Sequence, residues 1–180
     1  VATHLAACAG AAVWTAIEWV QRGKPSVLGM ISGAVAGLGT ITPASGFVLP
    51  WHGLVIGALA GAVCYIFCTV VKQRFKYDDS LDVFGVHGVG GIMGTLLAGV
   101  FATAALSVSP DTPQGVAGLL EGNPAQLGVQ AVGVAVTTIW CVVGTWFTLK
   151  VVDVICGLRV SPDQEREGLD LALHGEALHQ

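Results

Sequence analysis

Residues 83–107 read VFGVHGVGGIMGTLLAGVFATAALS, 25 residues without an Asp, Glu, Lys or Arg. A helix of about 20 apolar residues crosses the hydrocarbon core of a bilayer. The whole chain follows this pattern, because 53% of its 180 residues are hydrophobic and only 11% are charged. An average soluble domain carries about 25% charged residues. We therefore expect an all-α, polytopic transmembrane helix bundle in a lipid bilayer, and the composition disfavours a soluble enzyme.

Four other apolar runs are separated by clusters of charged residues, Pro or Gly. With 83–107 they predict five transmembrane helices and a polar tail: 5–20, 27–49, 51–71, 83–107 and 126–152, then 153–180. Helices satisfy their own backbone hydrogen bonds in lipid. Thr42 and Pro43 interrupt the second run, so we expect its outer end to be broken or re-entrant. The chain enters an apolar run directly after Val1, which suggests a piece of a longer protein.

The eight basic residues divide the predicted loops between two sides of the membrane. They lie in loops 21–26 and 72–82 and from the end of the fifth span onwards, whereas the loops near Pro50 and at 108–125 carry none. The positive-inside rule then predicts a multi-pass protein of the cell membrane with a cytoplasmic C-terminus. The net charge of −4 and the lack of a basic stripe argue against a nucleic-acid partner.

Several local patterns predict contacts within and between helices. Glycines spaced four apart, as in 33–37 and 57–61, allow close helix packing, although a chain rich in Ala and Gly also produces them by chance. Glu18 stands one turn before Arg22 and could pair with it. Ser161 and Gln164 form a capping box at the start of a short tail helix.

A histidine inside the fourth span is the densest functional signal. His87 stands in DVFGVHGVGG, residues 82–91. An ionisable residue inside a membrane span by default indicates a functional site, and the alternative is a hydrogen bond that only packs the bundle. Imidazole donates and accepts protons near neutral pH, which suits a weak acid or base. Asp82, at the inner mouth of this helix, could attract cations, anchor a basic residue or cap the helix.

Motifs for metal binding and catalysis are missing from the sequence. Its five cysteines lie mostly in apolar runs and form no CxxC pair, so we interpret them as small apolar core residues and predict no metal site and no cofactor. No HExxH, GxSxG or P-loop occurs, so we predict no catalytic residue and no enzyme.

Four blocks of the sequence, in order along the chain, resemble the C-terminal part of an ammonium transporter of the Amt family. They are Glu18-Trp19 with 22–26, residues 33–38 with 41–44, residues 82–88, and residues 157–160 with 165–170. The resemblance implies an eleven-span protein with two inverted five-helix halves. It implies that the five spans here are the seventh to eleventh, and that the protein is a homotrimer with one pore per subunit.

The resemblance also implies a function and a role for individual residues. His87 corresponds to the second of two pore histidines, and Thr42 to a residue beside the pore. Asp82 and Ser32 correspond to the cytoplasmic pore mouth, where a PII-type signalling protein can insert a loop. The implied function is recruitment and deprotonation of ammonium, with ammonia conduction and proton relay through a histidine-lined pore. The alternatives are an ammonium sensor that signals through its tail and an intramembrane enzyme.

Overall fold

The computed structural model describes residues 1–177, so the last three residues of the predicted tail, 178–180, lie outside the described residues. The described residues form helices and turns and contain no strand, which confirms the all-α prediction. We number the longer helices and one short tail helix α1 to α6: α1 Ala2–Arg22, α2 Val27–Ile41, α3 Pro50–Phe75, α4 Phe84–Phe101, α5 Ala125–Cys156 and α6 Pro162–Glu167.

Two of these helices change their winding along their length. In α3, α-helix over Pro50–Ile66 gives way to a π-helical segment, Phe67–Val71, and resumes over Lys72–Phe75. In α4, a π-helical turn, Phe84–Gly88, precedes α-helix over Val89–Phe101. Such turns occur often at functional sites.

The predicted break in the second span is confirmed. Helix α2 ends at Ile41, and the 3₁₀ turn Thr42–Ala44 contains Pro43, which cannot donate a backbone hydrogen bond. The chain then runs irregularly to Pro50, where α3 begins. The backbone amide of Thr103 donates to the carbonyl of Phe47 at 2.8 Å, which joins this segment to the chain that follows α4.

Four helical segments among the described residues are long and apolar enough to cross a membrane: Val27–Ala44, Pro50–Phe75, Phe84–Phe101 and Ala125–Cys156. Helix α1 has 21 residues but is less apolar, since it includes His4, Glu18 and Arg22. The five predicted spans therefore stay a prediction. Helix α4 ends at Phe101, six residues before the predicted bound, because Ala102 adopts an extended conformation.

The chain divides into two compact units, residues 1–135 and 136–180. In the first unit, α1 packs against both α2 and α3. Its buried residues recur every four positions and so form one stripe along the helix: Ala6, Gly10, Trp14 and Glu18. Trp14 packs edge-on against Tyr65 of α3, with ring centroids 5.3 Å apart.

The two predicted glycine pairs are the contact surfaces for α1. A Cβ atom on Gly37 or on Gly57 would collide with the carbonyl oxygen of Ala6. Ala6 is therefore held between the backbones of α2 and α3. One turn further on, a Cβ on Gly33 or on Gly61 would lie 2.6 Å from the carbonyl oxygen of Gly10. The spacing of four residues thus brings two helices to α1 at backbone distance.

Helix α4 joins the first unit through the same kind of contact. A Cβ on Gly94 would collide with the carbonyl oxygen of Thr40 in α2, and one on Gly85 would collide with Sγ of Cys68 in α3. These glycines lie more than two turns apart, so they fix α4 at two levels and leave it little freedom to slide or tilt.

The second unit contains the rest of α5 and the tail. The predicted capping box of α6 is confirmed, because Ser161 Oγ accepts from the amide of Gln164 at 3.3 Å and Gln164 Oε1 accepts from the amide of Ser161 at 3.1 Å. The helix ends before Gly168, whose φ of 99° is a conformation that favours glycine.

Candidate functional site

His87 lies in the π-helical turn Phe84–Gly88, near the start of α4. Its neighbours Gly85 and Val86 are buried, whereas His87 itself is exposed on the surface of this chain. A Cβ on Gly39 of α2 would lie 3.8 Å from Nδ1 of His87, so the imidazole rests beside a position of α2 that has no side chain. The ring is thus beside backbone on one edge and open on another.

Thr42 follows Gly39 by three residues, at the 3₁₀ turn that ends α2. Positions three apart share a helix face, so the Thr42 side chain and the stretch beside His87 belong to one side of α2. Thr42 is exposed, and its hydroxyl donates to the carbonyl of Leu38 at 2.7 Å. Its oxygen retains a lone pair for a second partner.

Two aspartates near the start of α4 take separate roles that the sequence left open for Asp82 alone. Asp82 anchors a basic residue: Nζ of Lys72 lies 2.8 Å from its Oδ1, and both side chains are partly exposed. The helix is instead capped by Asp79, whose carboxylate accepts from the amides of Val83 at 2.8 Å and Phe84 at 3.0 Å. The aspartate that precedes the first helical residues by four was the available signal for this cap.

Asp82 and Ser32 line the same small pocket, of about 160 Å³, where the C-terminal ends of α1 and α3 meet the N-terminal end of α2. The side chains of Glu18, Tyr65 and Gln73 also line it. The structure therefore brings the two predicted pore-mouth residues together. In contrast, it places His87 and Thr42 outside this pocket, on the stretch of α2 and α4 described above.

A buried carboxylate forms one wall of the pocket. Glu18 is 3% exposed, and its Oε1 accepts from Arg22 Nη1 at 3.1 Å, which confirms the predicted pair. Ser26 adds a contact that sequence reasoning missed, since its amide donates to Glu18 Oε2 at 3.1 Å. Ser26 Oγ also accepts from the amide of Gly29 at 2.9 Å, so one serine caps α2 and holds Glu18.

Outside the spans, the loop between α3 and α4 packs on the turn that carries His87. The Tyr77 ring meets Phe84 edge-on, with centroids 5.7 Å apart, and its hydroxyl donates to the carbonyl of Phe67 at 3.4 Å. Desolvation raises the pKa of Tyr77, and the negative charge of Asp79 raises it further. The phenol therefore stays protonated at neutral pH and remains a donor.

Within residues 1–177, no group of three or more His, Cys, Asp and Glu side chains is arranged to hold a metal ion. The arrangement therefore offers one exposed imidazole beside backbone, one free threonine lone pair and a pocket lined by two carboxylates that are each paired with a basic residue. These groups can exchange a proton and attract a cation.

A comparison with family models matches residues 1–178 to the Ammonium Transporter Family. An ammonium transporter of Bacillus subtilis is 41% identical over 178 residues, which are 99% of this chain and 43% of that protein. One from Aquifex aeolicus is 45% identical over 174 residues, 97% of this chain and 39% of that protein. The chain thus spans about two fifths of the length of these relatives, which are named as transporters and not as enzymes.

Solved structures agree with this likeness. The crystal structure of Saccharomyces cerevisiae Mep2 matches with a TM-score of 0.79 at 34% identity, over 90% of this chain and 36% of that one. A sensor Amt protein matches with a TM-score of 0.78 at 29% identity, over 96% of this chain and 40% of that one.

Proposed function

This chain belongs to the Ammonium Transporter Family, and we propose that it supplies one side of a pore that takes up ammonium, removes its proton and conducts ammonia. The family match over nearly the whole chain carries this proposal. The exposed imidazole of His87, beside Gly39 of α2, supports it. The remaining side of the pore belongs to the rest of the protein.

The physical reason for deprotonation is the cost of a charge in an apolar passage. A cation at the centre of a bilayer costs at least about 3 kcal/mol. Ammonia is neutral and avoids most of this cost. His87 accepts a hydrogen bond from the passing molecule and relays the proton, which makes net transport electrogenic. Potassium has no proton to lose, so the same passage rejects it.

Three other residues receive roles in this scheme. Thr42 borders the conduction path, where its free lone pair accepts a hydrogen bond. Asp82 and Ser32 form the cytoplasmic mouth. There the carboxylate attracts the ammonium that forms when ammonia regains its proton. Lys72 partly neutralises that carboxylate at 2.8 Å, so the mouth is only weakly negative.

We propose three further properties from the family resemblance: a homotrimer with one pore per subunit, insertion in the cell membrane with a cytoplasmic C-terminus, and regulation by a PII-type protein at the mouth. The distribution of the eight basic residues, in loops 21–26 and 72–82 and from the end of the fifth span onwards, supports the orientation. Cross-linking of the full-length protein tests the trimer. Binding of a purified PII-type protein to inside-out vesicles, and its loss in Asp82→Ala, tests the regulator.

The main experiment measures ammonium-triggered current across proteoliposomes that hold the full-length protein, with His87→Ala beside the unchanged protein. We expect a current with ammonium, none with potassium, and a loss of about 100-fold or more in the variant, because the proton relay is removed. Thr145→Ala, an exposed change in α5, is the control and should leave the current unchanged. Unchanged current and selectivity in His87→Ala would refute the relay.

A sensor function is the second candidate, and the likeness to a sensor Amt protein favours it. A sensor would bind ammonium and change its tail without carrying current. Ammonium binding at a molar ratio of one per subunit, without current in sealed proteoliposomes, would establish sensing and overturn conduction.

A further inference from the structure

The π-helical segment of α3, Phe67–Val71, packs against the π-helical turn of α4, Phe84–Gly88, which carries His87. Such winding is rare, since its hydrogen bonds reach five residues and are less favourable than those of an α-helix. In α4 the amide of Val89 donates to the carbonyl of Phe84, and in α3 the amide of Lys72 donates to the carbonyl of Phe67. Two facing turns of this kind need support from neighbouring side chains.

Two buried cysteines of α3 supply contacts to the turn in α4. Cys64 is fully buried, and its thiol points to the carbonyl oxygen of Val86 at an S···O distance of 3.9 Å. Cys68 packs so closely on Gly85 that a Cβ there would collide with its Sγ. Val86 is the residue directly before His87, so the thiol of Cys64 acts on the peptide that orients the imidazole.

A cysteine suits this position for a physical reason. Its thiol is small and polarisable, so it packs like a methyl group in the core, yet it still donates a weak hydrogen bond. Valine or alanine would fill the space but leave the Val86 carbonyl without this donor. The sequence pattern indicates only a core residue here, because the backbone carbonyl that it meets is 22 positions away in the chain.

We propose that Cys64 is a positioning residue for His87: its thiol donates to the Val86 carbonyl and fixes the π-helical turn so that the imidazole stands beside Gly39. This inference rests on the proposed role of His87 in conduction. Misplacement of a reacting group by about 1 Å costs up to about 100-fold in rate. A thiol far from the substrate can therefore control the rate without touching it.

The test uses the full-length protein in proteoliposomes with three variants. Cys64→Ala removes the donor, Cys64→Ser keeps a donor of similar size, and Ile56→Val removes one heavy atom from another fully buried site of the core. We expect Cys64→Ala to lower the maximal ammonium current about fivefold or more, with an unchanged half-saturating ammonium concentration. Cys64→Ser should recover at least half of the current, and Ile56→Val should stay near the unchanged protein.

Two results would overturn the inference. One is a Cys64→Ala current equal to that of Ile56→Val; the other is an equal loss in Cys64→Ser and Cys64→Ala, which would leave packing as the only role. A second readout does not depend on transport. In protein labelled with ¹⁵N-histidine, the His87 imidazole signal, assigned with His87→Gln, should shift in Cys64→Ala and return in Cys64→Ser.

The two readouts separate the inference from the proposed function. If the unchanged protein carries no ammonium current but the imidazole signal follows the thiol, conduction fails and positioning stands. If the current depends on His87 while the imidazole signal ignores Cys64, conduction stands and positioning fails.

Discussion

Helices α1 and α5 show opposite relations between hydrophobicity and burial. Helix α1 is the less apolar of the two, yet it is enclosed by α2 and α3 along its buried stripe. Helix α5 is long and apolar enough to cross a membrane, yet none of its 32 residues, all within the described range, is buried. In lipid, apolar side chains gain little by burial against other helices. Close backbone contact and the polar pairing of Glu18 therefore account for the buried stripe of α1 better than its hydrophobicity does.

The largest expected effect comes from breaking the contact between α1 and α2. In Gly37→Leu, the side chain would occupy the space of the Ala6 carbonyl, and backbones cannot move apart without losing the contacts of Gly10 as well. We expect destabilisation of more than about 4 kcal/mol. The measurement is the yield of folded full-length protein by size-exclusion chromatography in detergent. A folded yield equal to that of the unchanged protein would show that α1 is not held by close packing.

A smaller effect is expected at the polar end of the same helix. Glu18→Ala leaves the Ser26 amide without its partner and Arg22 without its carboxylate, so we expect a loss of about 2 kcal/mol. Glu18→Gln keeps an acceptor for the amide and should lose about half as much. Thermal melting of the purified protein measures both. Equal melting temperatures for Glu18→Ala and the unchanged protein would remove polar pairing from the explanation of the buried stripe of α1.

The smallest effect is expected in α5. A Cβ on Gly133 meets no heavy atom within 4 Å among the described residues. Gly133→Ala should therefore raise helix propensity and stabilise the protein by at most about 1 kcal/mol. The same melting experiment checks it. A marked fall in melting temperature would mean that α5 packs against another part of the full protein, and the contrast with α1 would then describe this chain alone.

Local spacing explains which parts of the structure could be predicted. The Glu18–Arg22 pair, the capping box at Ser161 and the break at Pro43 each depend on residues within four positions, where helix geometry alone sets the contact. The sequence left open whether Asp82 caps α4 or pairs with a basic residue. Asp79 fills it because the chain turns at Asp82, whose φ is 56°, and directs Asp82 towards Lys72.

Contacts between distant residues were beyond local reasoning. The sequence placed Ser32 and Asp82 together only through a family resemblance, and the structure has both on one pocket. The sequence pattern did not indicate that Ser26 donates to Glu18, or that the thiol of Cys64 contacts the Val86 carbonyl before His87. Their roles in transport, like those of Thr42 and His87, stay predictions for the experiments above.

By itself the sequence determined the membrane class and the helical architecture, because composition and apolar run length report directly on the solvent around the chain. The family followed from a different signal, the resemblance carried by four sequence blocks. It also determined which helix faces carry small residues. Only the tertiary structure decided which faces meet, that a stripe of α1 with the carboxylate of Glu18 is buried, and that the π-helical segment of α3 packs against the turn that carries His87. Those outcomes depend on backbone approach across tens of residues, which no local spacing records.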